Sequence, residues 1–220
     1  RENVVILGHK SITLASLFVF SNSPEEIFKT KLIGDGKTSV IRIVNTDSSE
    51  INIVGLTIMG GKAEYGGGVH IENSLPKLSH LIIKNNNCSY GGGGGVYAYN
   101  AHPLLENSIV YGNKSQDVAG GYYGKGGSKA TIRNVLFLHN SARSIGGAVY
   151  LRDESHSIIE NSVFVGNSGF KGSAVAIKYY NYVLLDQCLI IEPVQDNKSV
   201  IFSGVRSHTM LLQSTVRPIV

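Results

Sequence analysis

The sequence is poor in several residues that mark other kinds of protein. It has no tryptophan, two cysteines and five prolines, and charged residues make up only 16% of its 220 positions. Two cysteines cannot build a disulfide-dense scaffold, and no Cys and His spacing typical of zinc is present, so we expect no metal site. The longest apolar stretch, residues 12–20, contains threonine and serine and is far shorter than the roughly 20 residues of a membrane-spanning helix.

The charge of the chain is also unremarkable in its distribution. The formal net charge is +4 and the isoelectric point is about 9.0. Lysine and arginine are scattered rather than gathered in a stripe, so the sequence does not indicate a nucleic-acid partner. No threonine column recurs along the chain, which disfavours an ice-binding face.

What the sequence has instead is a repeat of about 27 residues. A polar or small residue precedes each short apolar run, and these markers are Asn3, Thr30, Gly55, His80, Asn107, Asn134, Asn161, Gln187 and Gln213. A second column, six residues on, reads Gly61, Asn86, Asn113, Asn140, Asn167 and Pro193. Glycine clusters form a third column at residues 66–68, 91–95, 120–121 and 146–147.

A repeat this short cannot bury its own apolar face, so its copies must stack and share one core. The apolar runs, such as 81–83 and 163–165, are brief and rich in β-branched residues, which is typical of strands. The sequence therefore predicts an all-β, single-stranded parallel β-helix of about eight coils, with about 27 residues per coil. Because the period crosses the chain without a linker, residues 1–220 form one predicted domain.

Stacking also makes predictions for side chains. Amides repeated at one turn can bond to the copies above and below, so we expect one ladder of Asn107, Asn134 and Asn161 and another of Asn86, Asn113, Asn140 and Asn167. Cys88 and Cys188 lie four coils apart, about 19 Å along the axis, which is too far for a disulfide. Both thiols are therefore predicted to be free and buried.

Two motifs resemble those of a known family. Phe137-Leu138-His139-Asn140 and Phe164-Val165-Gly166-Asn167 match an F-x-x-N pattern, and Gly146-Gly147-Ala148-Val149 matches its G-G-A-[IVL] partner. These motifs resemble the repeats of polymorphic outer membrane proteins and, more broadly, the right-handed parallel β-helix repeats of pectin-lyase-like and bacterial surface proteins. The resemblance implies a right-handed coil and a secreted or surface location.

Function is expected from side chains that point away from the core. If Val69, Val96, Val149 and Val175 point inward, alternation along the strand places their neighbours outward. The predicted ligand-binding strip consists of His70, Glu72, Tyr97, Tyr99, Tyr123, Lys125, Tyr150, Arg152 and Lys178. Tyrosine faces suit sugar rings and the basic groups suit uronate or sulfate. The alternative interpretation is that the tyrosines only stack on each other.

Catalysis is the second reading of the same surface. The resemblance implies that polysaccharide lyases of this fold hold calcium with acidic residues and use a Lys or Arg as base, and glycosidases need two carboxylates. The remaining acids Asp117, Asp153, Asp186 and Asp196 occupy different phases of the repeat, so the sequence assigns no catalytic residue. The glycine-rich segment 116–128 is a candidate recognition loop.

These observations predict an extracellular or bacterial cell-surface binding or adhesion module that recognises a polysaccharide or cell-surface glycan and needs no cofactor. A lyase or hydrolase acting on a uronate polymer, with calcium if a lyase, is the alternative, and a passive spacer is the third possibility. The chain is expected to be a fragment or processed part of a larger secreted protein. Since an open β-helix end exposes unpaired backbone groups, flanking domains or a capping partner are expected.

Overall fold

The computed structural model describes residues 3–46, 49–193 and 198–219 as strands joined by tight turns, with two short helices. The helices are α1 (Phe18–Ser21) and α2 (Pro24–Lys29). The strands are β1 (Val4–Leu7), β2 (Ile12–Ala15), β3 (Lys31–Ile33), β4 (Ile41–Val44), β5 (Ile51–Val54), β6 (Thr57–Met59), β7 (Lys62–Tyr65), β8 (Val69–Glu72), β9 (Lys77–Ser79), β10 (Ile82–Lys84), β11 (Asn87–Gly92), β12 (Val96–Tyr99), β13 (Leu104–Tyr111), β14 (Lys114–Ser115), β15 (Tyr122–Lys125), β16 (Thr131–Leu138), β17 (Ser141–Ala142), β18 (Val149–Arg152), β19 (Ser157–Glu160), β20 (Val163–Val165), β21 (Lys171–Lys178), β22 (Tyr182–Asp186), β23 (Leu189–Pro193), β24 (Ser199–Ser203), β25 (His208–Leu212) and β26 (Thr215–Ile219).

These strands stack into three parallel sheets. Sheet A has eight strands in the order β1-β4-β8-β12-β15-β18-β21-β24. Sheet B has fourteen strands in two lines that β13 and β16 join, and sheet C has four short strands, β7, β11, β14 and β17. A coil runs through A, B and C and returns to sheet A one level up. The predicted parallel β-helix is confirmed.

The number of coils is smaller than predicted. The structure has about seven turns of about 27 residues, not eight. The sequence count treated Asn3 as a marker, but Asn3 precedes β1 in sheet A, whereas the true markers lie in sheet B. Between β1 and β4 the chain also makes the excursion that contains α1 and α2, so the first interval of the repeat is not a regular coil.

The marker column is explained by backbone geometry. His80, Asn107, Asn134 and Gln187 have φ between 50° and 54°, the left-handed region that glycine, asparagine and similar polar residues tolerate best. This turn joins the two lines of sheet B. Asn134 donates its Nδ2 to Asn107 Oδ1 at 3.0 Å. In the described part of the chain Asn161 has no corresponding bond to Asn134, so the three-membered ladder predicted here is only partly formed.

The second ladder is complete and lies inside the coil. Asn86, Asn113, Asn140 and Asn167 are all buried. Each Nδ2 group of the first three donates to the Oδ1 atom of the next, at 3.0–3.1 Å. Each also donates to a backbone carbonyl one coil back, as Asn140 does to Val110 at 2.8 Å. A buried backbone turn thus has its polar groups satisfied by the stacked amides.

The glycine column marks the corner where the chain enters sheet A. Coils approach so closely there that a Cβ on Gly120 would lie 2.5 Å from the carbonyl oxygen of Gly147. Only glycine fits such an approach. The interior beyond this corner is apolar, and Val69, Val96, Val149 and Val175 are fully buried, as predicted.

Cys88 and Cys188 are free and buried, as predicted from their separation along the axis. Cys88 accepts a hydrogen bond from the backbone N–H of Gly92 at 2.9 Å and so packs as part of the turn. None of the described helices is both long and apolar enough to cross a membrane.

Candidate functional site

The outer face of sheet A presents the two predicted columns of side chains. His70, Tyr97, Tyr123 and Tyr150 pair in register on neighbouring strands. The second column also lies in register, and its members are Glu72, Tyr99, Lys125, Arg152 and Lys178. The alternation predicted from the sequence therefore places these nine side chains on one face.

The tyrosines, however, do not form an exposed strip. The exposed fractions of Tyr97, Tyr123 and Tyr150 are only 6%, 2% and 2%. Their rings lie against one another, with centroids 5.4 Å apart for Tyr97 and Tyr123 and 5.3 Å apart for Tyr123 and Tyr150. Val118 and Ala119, from the segment that joins sheet C to sheet A, cover them. The prediction that the three rings face solvent was wrong, because this segment folds over the outer face and makes a second apolar cluster.

Burial also raises the pKa values of the hydroxyl groups on these rings. It raises the pKa of Tyr150 to about 12 and raises the pKa values of Tyr97 and Tyr123 further. Their hydroxyls stay protonated at neutral pH and cannot serve as bases. Burial also lowers the pKa of His70, whose Nε2 atom lies 3.6 Å from Glu72 Oε2.

A cleft opens beside the tyrosine cluster, over the middle coils. Its volume is about 740 Å³, within the range of ligand sites in proteins. Tyr123, Lys125 and Arg152 line it from sheet A, and Tyr65 and residues 89–91 line it from strands β7 and β11 of sheet C. The segments joining sheets C and A contribute the rest of the wall. The lining consists of Tyr65, Ser89, Tyr90, Gly91, Gln116, Asp117, Val118, Tyr123, Lys125, Arg143, Ser144, Arg152 and Phe170.

The charge of the cleft is predominantly positive. Lys125, Arg143 and Arg152 supply three cations, and Asp117 is the only acid in the lining. Arg152 also pairs with Asp153, with 3.0 Å between Nε and Oδ2. Neither Lys125 nor Arg143 has a salt-bridge partner among the described residues, so both are available to an anionic ligand.

Two exposed aromatic rings border the cleft. Tyr90 is 71% exposed and Phe170 is 52% exposed. Tyr90 projects because the pairing of β11 with β7 is irregular between Cys88 and Gly92, which gives this coil extra residues. Tyr65 forms the adjacent wall, and a Cβ on Gly91 would lie 2.0 Å from its ring.

The structure brings together three of the nine predicted site residues, since Tyr123, Lys125 and Arg152 all line the cleft. Tyr97 and Tyr150 are buried beside it. His70 and Glu72 are neighbours in β8, Tyr99 lies on the exposed column, and Lys178 sits 4.6 Å from the ring of Tyr179. None of these four lines the cleft.

Sequence reasoning missed Arg143 and Phe170 as part of a site, and it included Asp117 only within the candidate recognition loop. The sequence did contain a signal for this surface, namely a constant spacing from the buried ladder. The residue three positions after a ladder asparagine lines the cleft in three coils, as Gln116, Arg143 and Phe170. The predicted recognition loop, residues 116–128, is only partly correct. Residues 116–118 line the cleft, but residues 122–125 form the regular strand β15.

The donor set of the cleft does not suit the calcium that a lyase of this fold would use. Calcium takes six to eight oxygen ligands, including several carboxylates, and the cleft has only the Asp117 carboxylate. Among the described residues, no three His, Cys, Asp or Glu side chains are gathered as a metal site would need. Asp196, another acid of the sequence, lies outside the described residues.

The stacked coils define a β-solenoid, and the lateral cleft is a candidate ligand site on its outer face. Residues 33–190 match the family described as the right handed beta helix region. The match covers most of the chain, which therefore belongs to this family, and the predicted resemblance to right-handed β-helix repeats is confirmed. Comparisons with curated proteins and with solved structures found no match.

Proposed function

We propose that this protein is an extracellular or cell-surface binding module whose cleft holds an acidic polysaccharide. The observation that carries the proposal is the coincidence of three cations, one acid and two exposed aromatic rings in a single cleft. The β-helix family is compatible with surface and polysaccharide-related roles. The proposed site differs from the tyrosine strip expected from the sequence, because it centres on Lys125, Arg143 and Arg152.

Each group has a definite role in this proposal. Arg143 and Arg152 form charge-assisted hydrogen bonds to the carboxylate or sulfate of an acidic sugar, and Lys125 adds a third positive charge. Tyr90 and Phe170 offer flat apolar faces to the C–H faces of sugar rings. The ligand is a polymer rather than a single sugar, since the cleft is open and spans several coils.

The test is the double substitution Lys125→Gln and Arg143→Gln, compared with Lys129→Gln, which removes a cation from the turn between sheets A and B that does not line the cleft. Each charge-assisted bond is worth about 1.5 kcal/mol, so the double variant should bind a uronate polymer about 100-fold more weakly. Raising the salt concentration should weaken the parent in the same direction. Isothermal calorimetry measures both effects. Equal affinities for the parent and the double variant would overturn the proposal.

The same samples test the enzymatic alternative. A lyase would need a base, and Lys125 is the candidate for it in this cationic cleft. A glycosidase would need two carboxylates, and the cleft has one. We expect no unsaturated or reducing ends after incubation with uronate polymers, with or without added calcium. If the parent forms product and the Lys125→Gln variant forms none, the protein is an enzyme. A passive spacer would bind no polymer at all.

A further inference from the structure

The turn that follows sheet A changes its form along the solenoid. In the earlier coils a single asparagine has positive φ, and these residues are Asn45, Asn73 and Asn100. They form an exposed amide ladder, in which Asn100 donates to Asn73 at 2.8 Å. In the next three coils the turn is one residue longer and two consecutive residues have positive φ. These pairs are Gly126–Gly127, Asp153–Glu154 and Tyr179–Tyr180.

Positive φ is costly for side chains as large as these. Glycine accepts it freely and asparagine accepts it readily. Glu154 and Tyr180, however, have φ of 62° and 61° at the position where the first of these three coils has Gly127. Strained non-glycine residues cluster at binding sites, where the surrounding contacts hold them. The lengthened turn therefore presents Glu154 and Tyr180 on an outward column.

A second depression lies between these turns. Its volume is about 390 Å³, and its lining is Arg152, Asp153, Glu154, Tyr179 and Tyr180. We call it the turn depression. Arg152 lines both this depression and the cleft, so the two adjoin across the end of the strands in sheet A.

The cation that lines the turn depression, Arg152, and the two that contact its tyrosines, Lys178 and Arg206, already have partners. Arg152 pairs with Asp153, and Lys178 lies 4.6 Å from the Tyr179 ring. Arg206 donates to the Tyr180 hydroxyl at 2.8 Å. Unpaired positive charge is therefore available in the cleft at Lys125 and Arg143, whereas the cations at the turn depression are engaged.

The groups left for a ligand are a carboxylate and an aromatic face. Glu154 is exposed and has no salt bridge within the described part of the chain. Tyr180 is 47% exposed. Because the Arg206 guanidinium lies over one face of its ring, 5.3 Å from the centroid, the opposite face is the one left for a ligand. Sugar hydroxyls donate to a carboxylate, and the C–H face of a sugar packs on a ring. An acidic sugar would instead be repelled by Glu154.

We propose that the turn depression, through Glu154 and Tyr180, is a subsite for an uncharged sugar unit next to the acidic unit in the cleft. The inference rests on the proposed function of the cleft and specifies its ligand. The ligand is a polymer in which acidic and neutral sugars alternate. Its chain runs along the strands of sheet A, from the cleft to the turn at their ends, rather than following the solenoid axis.

The experiment compares two hexasaccharides, one made only of uronate units and one in which uronate and neutral hexose alternate. Tyr180→Gly removes the ring at a φ that glycine accepts, and Glu154→Gln removes the charge and keeps the shape. Tyr182→Ala, an exposed tyrosine on sheet B, is the control. We expect the parent to prefer the alternating oligomer, and each of the two test variants to bind it about ten-fold more weakly. The affinity for the all-uronate oligomer should stay unchanged in Tyr180→Gly and should rise in Glu154→Gln, because this change removes the repulsion of the acidic unit. Thermal unfolding verifies that the variants are folded.

Equal affinity of the parent for the two oligomers would overturn the inference, as would an equal loss for both in Tyr180→Gly. A titration with a neutral disaccharide, followed by the NMR signals of the Glu154 and Tyr180 amides, separates this outcome from failure of the cleft. Shifts at these amides without any uronate binding would retain the subsite and remove the proposed function. Uronate binding without such shifts would retain the cleft and remove the subsite.

Discussion

At the scale of the residue, Glu192 is the most unusual group in the core. Pro193 occupies the next position of the buried ladder, and the side chain of Glu192 beside it takes over the accepting role of an asparagine, since Asn167 donates to its Oε1 atom at 2.8 Å. Its Oε2 atom is buried and has no hydrogen-bond partner among the described residues. Burial raises the pKa of Glu192 from 4.5 to about 7. A protonated carboxyl has one donor and one acceptor, so the neutral form resembles the amide it replaces.

The raised pKa of Glu192 makes the stability of the protein depend on pH. Between pH 4.5 and about 7 the folded chain binds more protons than the unfolded chain, so the free energy of unfolding falls as pH rises. Glu192→Gln should remove this contribution and stabilise the protein at pH 8 by about 1–3 kcal/mol. Urea denaturation at pH 5 and pH 8 measures the difference.

The control for this prediction is Glu160→Gln, which removes a surface carboxylate that pairs with Arg133. Its effect should be small, since exposed salt bridges contribute little. If Glu192→Gln and the parent lose the same stability between pH 5 and pH 8, the buried carboxyl is not the titrating group.

At the scale of the element, the turns carry more of the fold's specificity than the strands. The two amide ladders differ in what they do. The ladder through Asn140 satisfies buried backbone groups, whereas Asn134 lies on an exposed turn whose main demand is a positive φ. Identical residues with the same spacing therefore have different energetic importance.

A matched pair of substitutions tests this difference. Asn140→Ala removes the amide that bonds to Asn113, Asn167 and Val110 and leaves their buried groups unpaired, which should cost about 3–5 kcal/mol. Asn134→Gly keeps the allowed φ and loses one exposed bond, so it should cost less than about 1 kcal/mol. Chemical denaturation of both variants checks the order, and similar losses would contradict it.

At the scale of the whole molecule, the protein is a one-dimensional stack. Each strand of sheet A pairs only with the strands above and below it, so stability is approximately a sum of coils and of the interfaces between them. The last strands, β25 and β26, pair on one side only, and Met210 and Leu211 are 59% and 45% exposed there.

This architecture predicts graded protection along the axis. Amides of β12, β15 and β18 should exchange through global unfolding, because both neighbours of each strand are in place. Amides of β25 and β26 should exchange orders of magnitude faster, through local opening. Native-state hydrogen exchange measures this, and uniform protection from β12 to β26 would show that the coils unfold as one unit.

Much of the fold was predictable because the repeat constrains it locally. The turn positions need residues that accept positive φ or close backbone approach, and the sequence has asparagine or glycine at Asn107, Asn134 and Gly120. The coil count was too high because it included Asn3 as a marker. The interval between polar residues does not show whether a residue precedes a strand of sheet A, as Asn3 does, or one of sheet B, as the other markers do. Of the site, Lys125 and Arg152 were predicted, because strand alternation determines their face.

The sequence by itself determined the stacking of the coils, the inward and outward faces of sheet A and the burial of the ladder asparagines, because each depends on spacing along the chain. Only the tertiary structure decided that Tyr97, Tyr123 and Tyr150 are covered and that the cleft lies beside them. The covering residues, such as Val118, come from segments between sheets whose path depends on packing against the outer face. No periodic pattern specifies that path, and so the exposed surface could not be read from the repeat.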